Sequence, residues 1–207
     1  TSALALLVER GELGLDDPIR RILPSATFDA TLRPLLGHRS GLPAWRPFFA
    51  PMVEDAIFRA PAAATPDDFA RARAAVVAEV LATPLEAPGR RVYSDLGFIA
   101  LGAAIEAATG QRLDRFCEAE LFAGLDLDFV DLAAASPFEG REVMPTGWTR
   151  PREPAPGQEG LFEVPSQPRA PDAGRVDDDN AYAMGGVAGH AGVFGTARAV
   201  ARFAHDA

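Results

Sequence analysis

The clearest periodicity in the chain lies at Phe69, Ala72, Val76, Val77, Val80 and Leu81, where apolar residues recur at spacings of three and four. Such spacing places them on one face and predicts an amphipathic helix of about three turns. Shorter versions come earlier. Ile19, Ile22 and Leu23 follow an acidic cap and first-turn proline at Asp16-Asp17-Pro18, and Leu32, Leu35 and Leu36 repeat the spacing. Leu4, Leu6, Leu7 and Val8 run to Gly11, a left-handed stop, and read as the tail of a helix whose beginning lies upstream of Thr1. The span from Leu96 to Thr109 is small and apolar throughout, which predicts a deeply buried helix closed by Gly110. Leu113, Phe116, Cys117 and Leu121 predict one more, and Thr196 is placed to cap a last helix through Ala199, Val200 and Phe203.

Prolines punctuate what lies between. Pro47, Pro51, Pro61 and Pro66 predict a loop-rich excursion that ends at Asp67-Asp68. Seven prolines from Pro145 to Pro171 predict an irregular connection over residues 145–180, either a loop over a cleft or a linker. Period-two alternation is scarce, so the expected fold class is mainly α.

Composition narrows the chemistry. The 207 residues carry 29 acidic side chains against 20 basic ones, a net charge of −9, and all 20 basic residues are arginine. Without lysine there is no Walker loop, no kinase strand lysine and no pyridoxal Schiff base. A single cysteine, Cys117, supports neither an internal disulfide nor a thiolate metal cluster. The acidic balance argues against a nucleic-acid groove or an anionic membrane surface. No stretch approaches the ~20 apolar residues of a membrane-spanning helix.

The remaining catalytic inventory is short: His38, His190, His205, Tyr93, Tyr182 and carboxylates. His205, near the end, reads as solvated. His38 follows a leucine pair at a helix end, where an imidazole bonds the last carbonyls. His190 sits among Gly186, Gly189 and Gly192, a setting that serves backbone packing or close approach to a ligand. Asp177-Asp178-Asp179-Asn180 fails as a calcium loop, which requires glycine and glutamate where Tyr182 and Ala188 stand, and reads as a solvated acidic turn. Neither G-x-G-x-x-G nor G-x-S-x-G occurs. Tyr93-Ser94-Asp95 gathers a phenol, a hydroxyl and a carboxylate at the mouth of the buried helix. Capping with packing is one reading of it, and catalysis is the other.

Several segments, in order, carry a resemblance that covers nearly the whole chain. Leu6-Leu7-Val8-Glu9-Arg10-Gly11-Glu12-Leu13 with Leu15-Asp16-Asp17-Pro18 is similar to the end of the nucleophile helix, and its sequel, in the serine β-lactamase-like hydrolases. That family includes class C β-lactamases, DD-peptidases and related esterases. Leu35-Leu36-Gly37-His38-Arg39-Ser40-Gly41-Leu42-Pro43 is similar to its L-L-x-H-x-S-G-L-P stretch. Tyr93-Ser94-Asp95 resembles its Y-x-N motif with aspartate for asparagine, and Gly185 to Phe203 resembles its glycine-rich turn and helix.

The resemblance implies a two-domain architecture, an all-α insertion between the halves of an α/β domain. Residues 1–30 would be the remnant of the nucleophile helix and its sequel, and residues 31–207 the all-α domain, cut before the return to the α/β domain. The S-x-x-K serine and lysine would lie upstream of Thr1, and the K-T-G or H-x-G motif beyond Ala207. Tyr93 would be the proton shuttle, Asp95 would position the lysine or the substrate, and His190, Ala191 and Gly192 would line the acyl pocket. The complete protein would be a serine hydrolase forming an acyl-enzyme from a small ester or amide, without metal or organic cofactor. This chain would be a catalytically incomplete piece of it. Asp95 removes an amide donor, which favours esters, and Ala199 removes the acidic partner of a capping box at Thr196. Loss of the flanking segments would leave Leu4, Leu7 and Val8 exposed. The alternative is a non-enzymatic helical binding module. Oligomeric state stays open, as does the choice between cytoplasmic and periplasmic or secreted locations.

Overall fold

The computed structural model describes residues 1–146 and 172–206. The chain opens on α1 (Ser2–Glu9), α2 (Ile19–Ile22) and α3 (Leu32–Leu36), followed by a 3₁₀ turn at Ala50–Met52, α4 (Ala56–Arg59) and a second 3₁₀ turn at Pro61–Ala63. The proline-rich excursion is therefore built of single turns, since each proline lacks the N–H that would prolong one. It ends at α5 (Pro66–Ala82), with a capping box. Thr65 Oγ1 accepts from the Asp68 N–H at 3.3 Å while Asp68 accepts from the Thr65 N–H at 2.8 Å.

Next comes α6 (Asp95–Thr109), the predicted buried helix, with Gly110 closing it at φ +67°. Its buried residues are small or aliphatic, among them Gly97, Ala100, Gly102 and Ala104, so neighbours approach closely. It packs against α1, α2, α3, α5 and α7 (Leu113–Glu120) and forms the axis of the molecule. Burying one such aliphatic side chain stabilises by about 1.5–3 kcal/mol.

Four short strands, in two antiparallel pairs among the described residues, were not apparent from the pattern. β1 (Leu127–Phe129) pairs antiparallel with a later strand at Val193–Gly195, and Leu127 faces Gly195 in that register. β2 (Pro145–Thr146) and β3 (Asp172–Ala173) pair antiparallel and bring together the two sides of residues 147–171, which lie outside the described residues. Most of the expected irregular connection lies there too. Its last residues contribute to α8 (Asp179–Ala183), so regular structure begins before position 180. The strand at Val193–Gly195 is β4, and α9 (Ala197–Asp206) ends the chain. Thr196 Oγ1 accepts from the Ala199 N–H at 3.1 Å and caps α9 as expected.

The expectation of an exposed N-terminal helix is overturned. Leu4 and Leu7 are buried, because α1 packs within the chain against α6 and α7. Among the described residues, no helix is long and apolar enough to cross a membrane.

Candidate active site

Tyr93-Ser94-Asp95 is held by a ladder between two loops. The N–H of Glu86 donates to Gly41 O at 2.8 Å, that of Gly89 to Arg39 O at 2.9 Å, that of Val92 to His38 O at 2.9 Å and that of Asp95 to Ala44 O at 2.9 Å. The loops approach so closely at Gly41, φ +95°, that a Cβ there would stand 2.6 Å from Pro88 N. Only glycine fits.

His38 is the pivot of this ladder. It adopts φ +54°, the only left-handed non-glycine residue among those described, just beyond α3. The expected bond from its imidazole to the last carbonyls of α3 is not made. Instead Nδ1 accepts from the Ser94 N–H at 3.0 Å. The ring packs against Tyr93 in a tilted arrangement, centroids 4.4 Å apart, and stacks on Phe98 at 5.0 Å.

Each member of the triplet then has a distinct situation. Ser94 Oγ donates to Pro43 O at 2.7 Å and accepts from the Gly97 N–H at 3.2 Å, so this buried hydroxyl is the cap of α6 and is fully engaged. Tyr93 is 73% exposed, supported by the His38 ring. Asp95 occupies the first turn of α6 and is half-buried, with its carboxyl making no hydrogen bond or ion pair among the described residues. Burial raises its pKa above the ordinary carboxylate value, a shift opposed by the charges of His190 and His38 and reinforced by Asp178.

The acidic run is not a solvated turn. Asp178 caps α8 by accepting from the Ala181 N–H at 2.7 Å, and its Oδ1 lies 2.8 Å from His190 Nε2. Burial alone would push this carboxyl up, yet the bonds to His190, Ala181 and the Trp45 side chain outweigh it and leave the pKa below the ordinary value. Asn180 is fully buried and clamps the distant loop, accepting from the Phe49 N–H at 3.0 Å and donating to Arg46 O at 2.8 Å. Sequence reading missed both roles. The available signal was a helix-capping aspartate before the apolar Ala181-Tyr182-Ala183.

The glycine turn beside α8 is anchored from the other side. Arg73 donates to Val187 O at 2.5 Å and bridges to Glu106 at 2.5 Å. Gly189 lies flat on α6, where a Cβ would stand 2.0 Å from Phe98 O. The His190 side chain is only 3% exposed, so the exposed part of this residue is its backbone. Ala191 is half-buried. Gly192 is buried and lines a cavity of about 630 Å³ with Leu127, Met144, Val176, Val193 and Val200, and neither Tyr93, Asp95 nor His190 reaches that cavity.

Other chemistries find little support in the geometry. Burial pushes the Cys117 thiol up to about 11, away from thiolate reactivity. Among the described residues, no three His, Cys, Asp or Glu side chains are arranged to hold a metal.

The chain is 31% identical over 209 residues to a putative D-alanyl-D-alanine carboxypeptidase of Escherichia coli K12, covering 93% of this chain and 44% of that protein. It is 26% identical over 208 residues to an N-acetylmuramyl-L-alanine amidase of Bacillus subtilis, covering 94% of this chain and 44% of the other. The chain thus spans less than half the length of these curated relatives. Among solved structures, a penicillin-binding protein from Bacillus halodurans superposes with a TM-score of 0.64 at 20% identity, over 98% of this chain and 55% of that one. A class C β-lactamase from Rhodobacter sphaeroides does so with 0.57 at 20% identity, over 96% and 45%. These two likenesses concern the fold. The family profile described as Beta-lactamase matches residues 1–207, and the chain belongs to the β-lactamase family.

Proposed function

We propose that this chain is part of a serine hydrolase that works through an acyl-enzyme. In this reading the 207 residues supply the proton shuttle and one wall of the site, and the S-x-x-K serine and lysine are supplied by the α/β domain of the complete enzyme. The observation that carries it is the contrast within Tyr93-Ser94-Asp95. Ser94 is spent on the helix cap, while the neighbouring phenol stands exposed on a histidine ring at the mouth of α6.

A tyrosine is a poor base at its ordinary pKa near 10, and a neighbouring cation is needed to hold it ionised or share its proton. The lysine of S-x-x-K would be that cation. Tyr93 would relay the serine proton to the leaving group, and water would then release the acyl group. Asp95, at the N-terminus of α6, would orient the lysine or the substrate. His190, Ala191 and Gly192 would meet the acyl group through exposed backbone, a role supported by the burial of the imidazole. The substrate class is a small ester or amide. The relatives' names point toward amides, whereas aspartate at position 95 favours esters.

The test is labelling with a serine-directed fluorophosphonate, read by intact mass. The complete enzyme is expected to take up one equivalent on the S-x-x-K serine, and the 207-residue chain none. Its Ser40 Oγ accepts from the Leu42 N–H at 3.3 Å, Ser94 is spent as described, and no lysine is present to take their protons. An unlabelled complete enzyme, or stoichiometric labelling of Ser2, Ser40 or Ser94, overturns the proposal. One observation favours the rival reading of a non-catalytic module: Leu4 and Leu7 already find their partners inside the chain. That reading expects the complete protein to remain unlabelled.

A further inference from the structure

The phenol of Tyr93 is exposed, and its hydroxyl makes no hydrogen bond among the described residues. What fixes its ring is an aromatic contact with His38, centroids 4.4 Å apart and planes tilted by 31°. The placement of the phenol therefore depends on how firmly His38 is itself held.

His38 is held at every polar backbone atom and by its side chain. Its N–H donates to Leu35 O at 3.2 Å, its carbonyl accepts from the Val92 N–H at 2.9 Å, and Nδ1 accepts from the Ser94 N–H at 3.0 Å. Its backbone is left-handed, φ +54°, a conformation uncommon outside glycine that persists where the surroundings impose it and that concentrates at functional sites. The Ser94 bond also sets the tautomer. A backbone N–H only donates, so Nδ1 offers a lone pair, the proton sits on Nε2 and the ring is neutral. A neutral imidazole packs on other rings without a charge to keep hydrated. Phe98 takes up that packing, stacked on His38 at 5.0 Å and 27°. Ser94 is the cap of α6 and Phe98 lies in its first turns, so both contacts tie the imidazole to the start of one buried helix.

We propose that His38 is a positioning residue for Tyr93: its neutral imidazole, held by the Ser94 N–H and by Phe98, is the platform that aims the phenol at the serine of the complete enzyme. The role rests on the hydrolase reading, in which Tyr93 moves the serine proton. Proton transfer requires heavy atoms about 2.6–3.2 Å apart, and a phenol without its platform turns freely about its side-chain bonds. The substrate makes no contact with His38 in this account, so its binding is left alone.

The experiment is steady-state kinetics of the complete enzyme on a small ester, for His38→Asn, Tyr93→Phe and the double variant. Asparagine accepts left-handed backbone, and its side-chain oxygen replaces Nδ1 opposite the Ser94 N–H, so the ring alone is lost. In His38→Asn, kcat is expected to fall at least about tenfold with KM within about twofold of wild type, because the phenol rather than the substrate is displaced. In the Tyr93→Phe background the same change is expected to cost less than about twofold, since the hydroxyl it would misplace is already gone. A merely structural role lowers activity by the same factor in both backgrounds. Unchanged kcat in His38→Asn, or equal losses in the two backgrounds, overturns the proposal. Where His38→Asn fails to fold, Phe98→Leu decides: the imidazole keeps Ser94 but loses its stack, and kcat is expected to fall at least about threefold, again only while the phenol is present. An unchanged kcat there, or a loss that persists in Tyr93→Phe, overturns the proposal as well. A wild-type enzyme that still takes up the fluorophosphonate keeps the hydrolase reading standing through either failure, whereas an unlabelled wild-type enzyme overturns that reading and the positioning role with it.

Discussion

Two helix N-termini face the site, and they use the same capping rule to different ends. Ser94 caps α6 and Asp178 caps α8, each accepting from the N–H three residues on. A hydroxyl has one proton and two lone pairs, and at Ser94 the proton goes to Pro43 O while a lone pair accepts from the Gly97 N–H. In the proposed mechanism the chemistry there would fall to its neighbours, Tyr93 and Asp95. A carboxylate offers about four acceptor positions. Asp178 can therefore cap a helix and still hold His190 and Trp45. One cap is purely structural between two candidate functional residues, while the other is itself the organiser of a buried polar cluster.

The sharpest way to break this contrast is truncation of the caps. Asp178→Ala removes the α8 cap and strands the buried His190 N–H and the Trp45 partner, so a loss of about 3 kcal/mol is expected. In a chain of this size that corresponds to about 6–12 °C in melting temperature. Ser94→Ala is expected to cost less, about 1–2 kcal/mol, from the lost cap and the unpaired Pro43 carbonyl. Thermal or urea melts of both variants check the order. Equal losses would mean that Asp178 does nothing beyond capping.

The smallest expected effect concerns pH and has opposite signs for two aspartates. Asp178 has a depressed pKa, so its contribution to stability is present above the ordinary carboxylate range and is lost as pH falls toward its folded value. Asp95 has a raised pKa. Its protonated form suits the fold, and stability is lost as pH rises from the ordinary value through the folded one. The helix N-terminus favours the Asp95 carboxylate, but burial opposes it more strongly. Asp95→Asn is therefore expected to melt slightly above wild type at pH 7 and level with it near pH 3, whereas Asp178→Asn is expected to melt below wild type at pH 7. A destabilised Asp95→Asn at pH 7 would reverse the sign assigned to its burial.

The same contrast explains what was legible in the sequence. The α6 helix announced itself through local signals: a serine before an apolar run, no charge inside it except Glu106, and Gly110 at its end. The α8 helix spans five residues, too few for a period to register, and its acidic start looked like a solvated turn. Its meaning comes from partners far along the chain, such as Phe49 and Arg46 on Asn180. Burial of Leu4 and Leu7 was hidden for the same reason, since α6 and α7 are remote in sequence. The Leu127–Phe129 strand did leave a short trace in Leu125-Asp126-Leu127-Asp128-Phe129, an alternation of period two. At the candidate site, the motif pointed to Tyr93, Asp95 and the His190 turn as candidates, but it showed neither the inward aim of the imidazole nor the support of Tyr93 by His38.

The central claim is that Tyr93 moves the nucleophile's proton, and Tyr93→Phe in the complete enzyme tests it most directly. The substitution keeps the ring on His38 and removes one exposed hydroxyl, so the melting temperature is expected to stay within about 2 °C of wild type. General acid–base contributions run to about 10²–10⁴ in rate, and kcat/KM on a small ester is expected to fall at least about a hundredfold. A Tyr93→Phe enzyme within about threefold of wild type, a difference below ~0.7 kcal/mol, would contradict the account and leave Tyr93 as packing beside a helix cap.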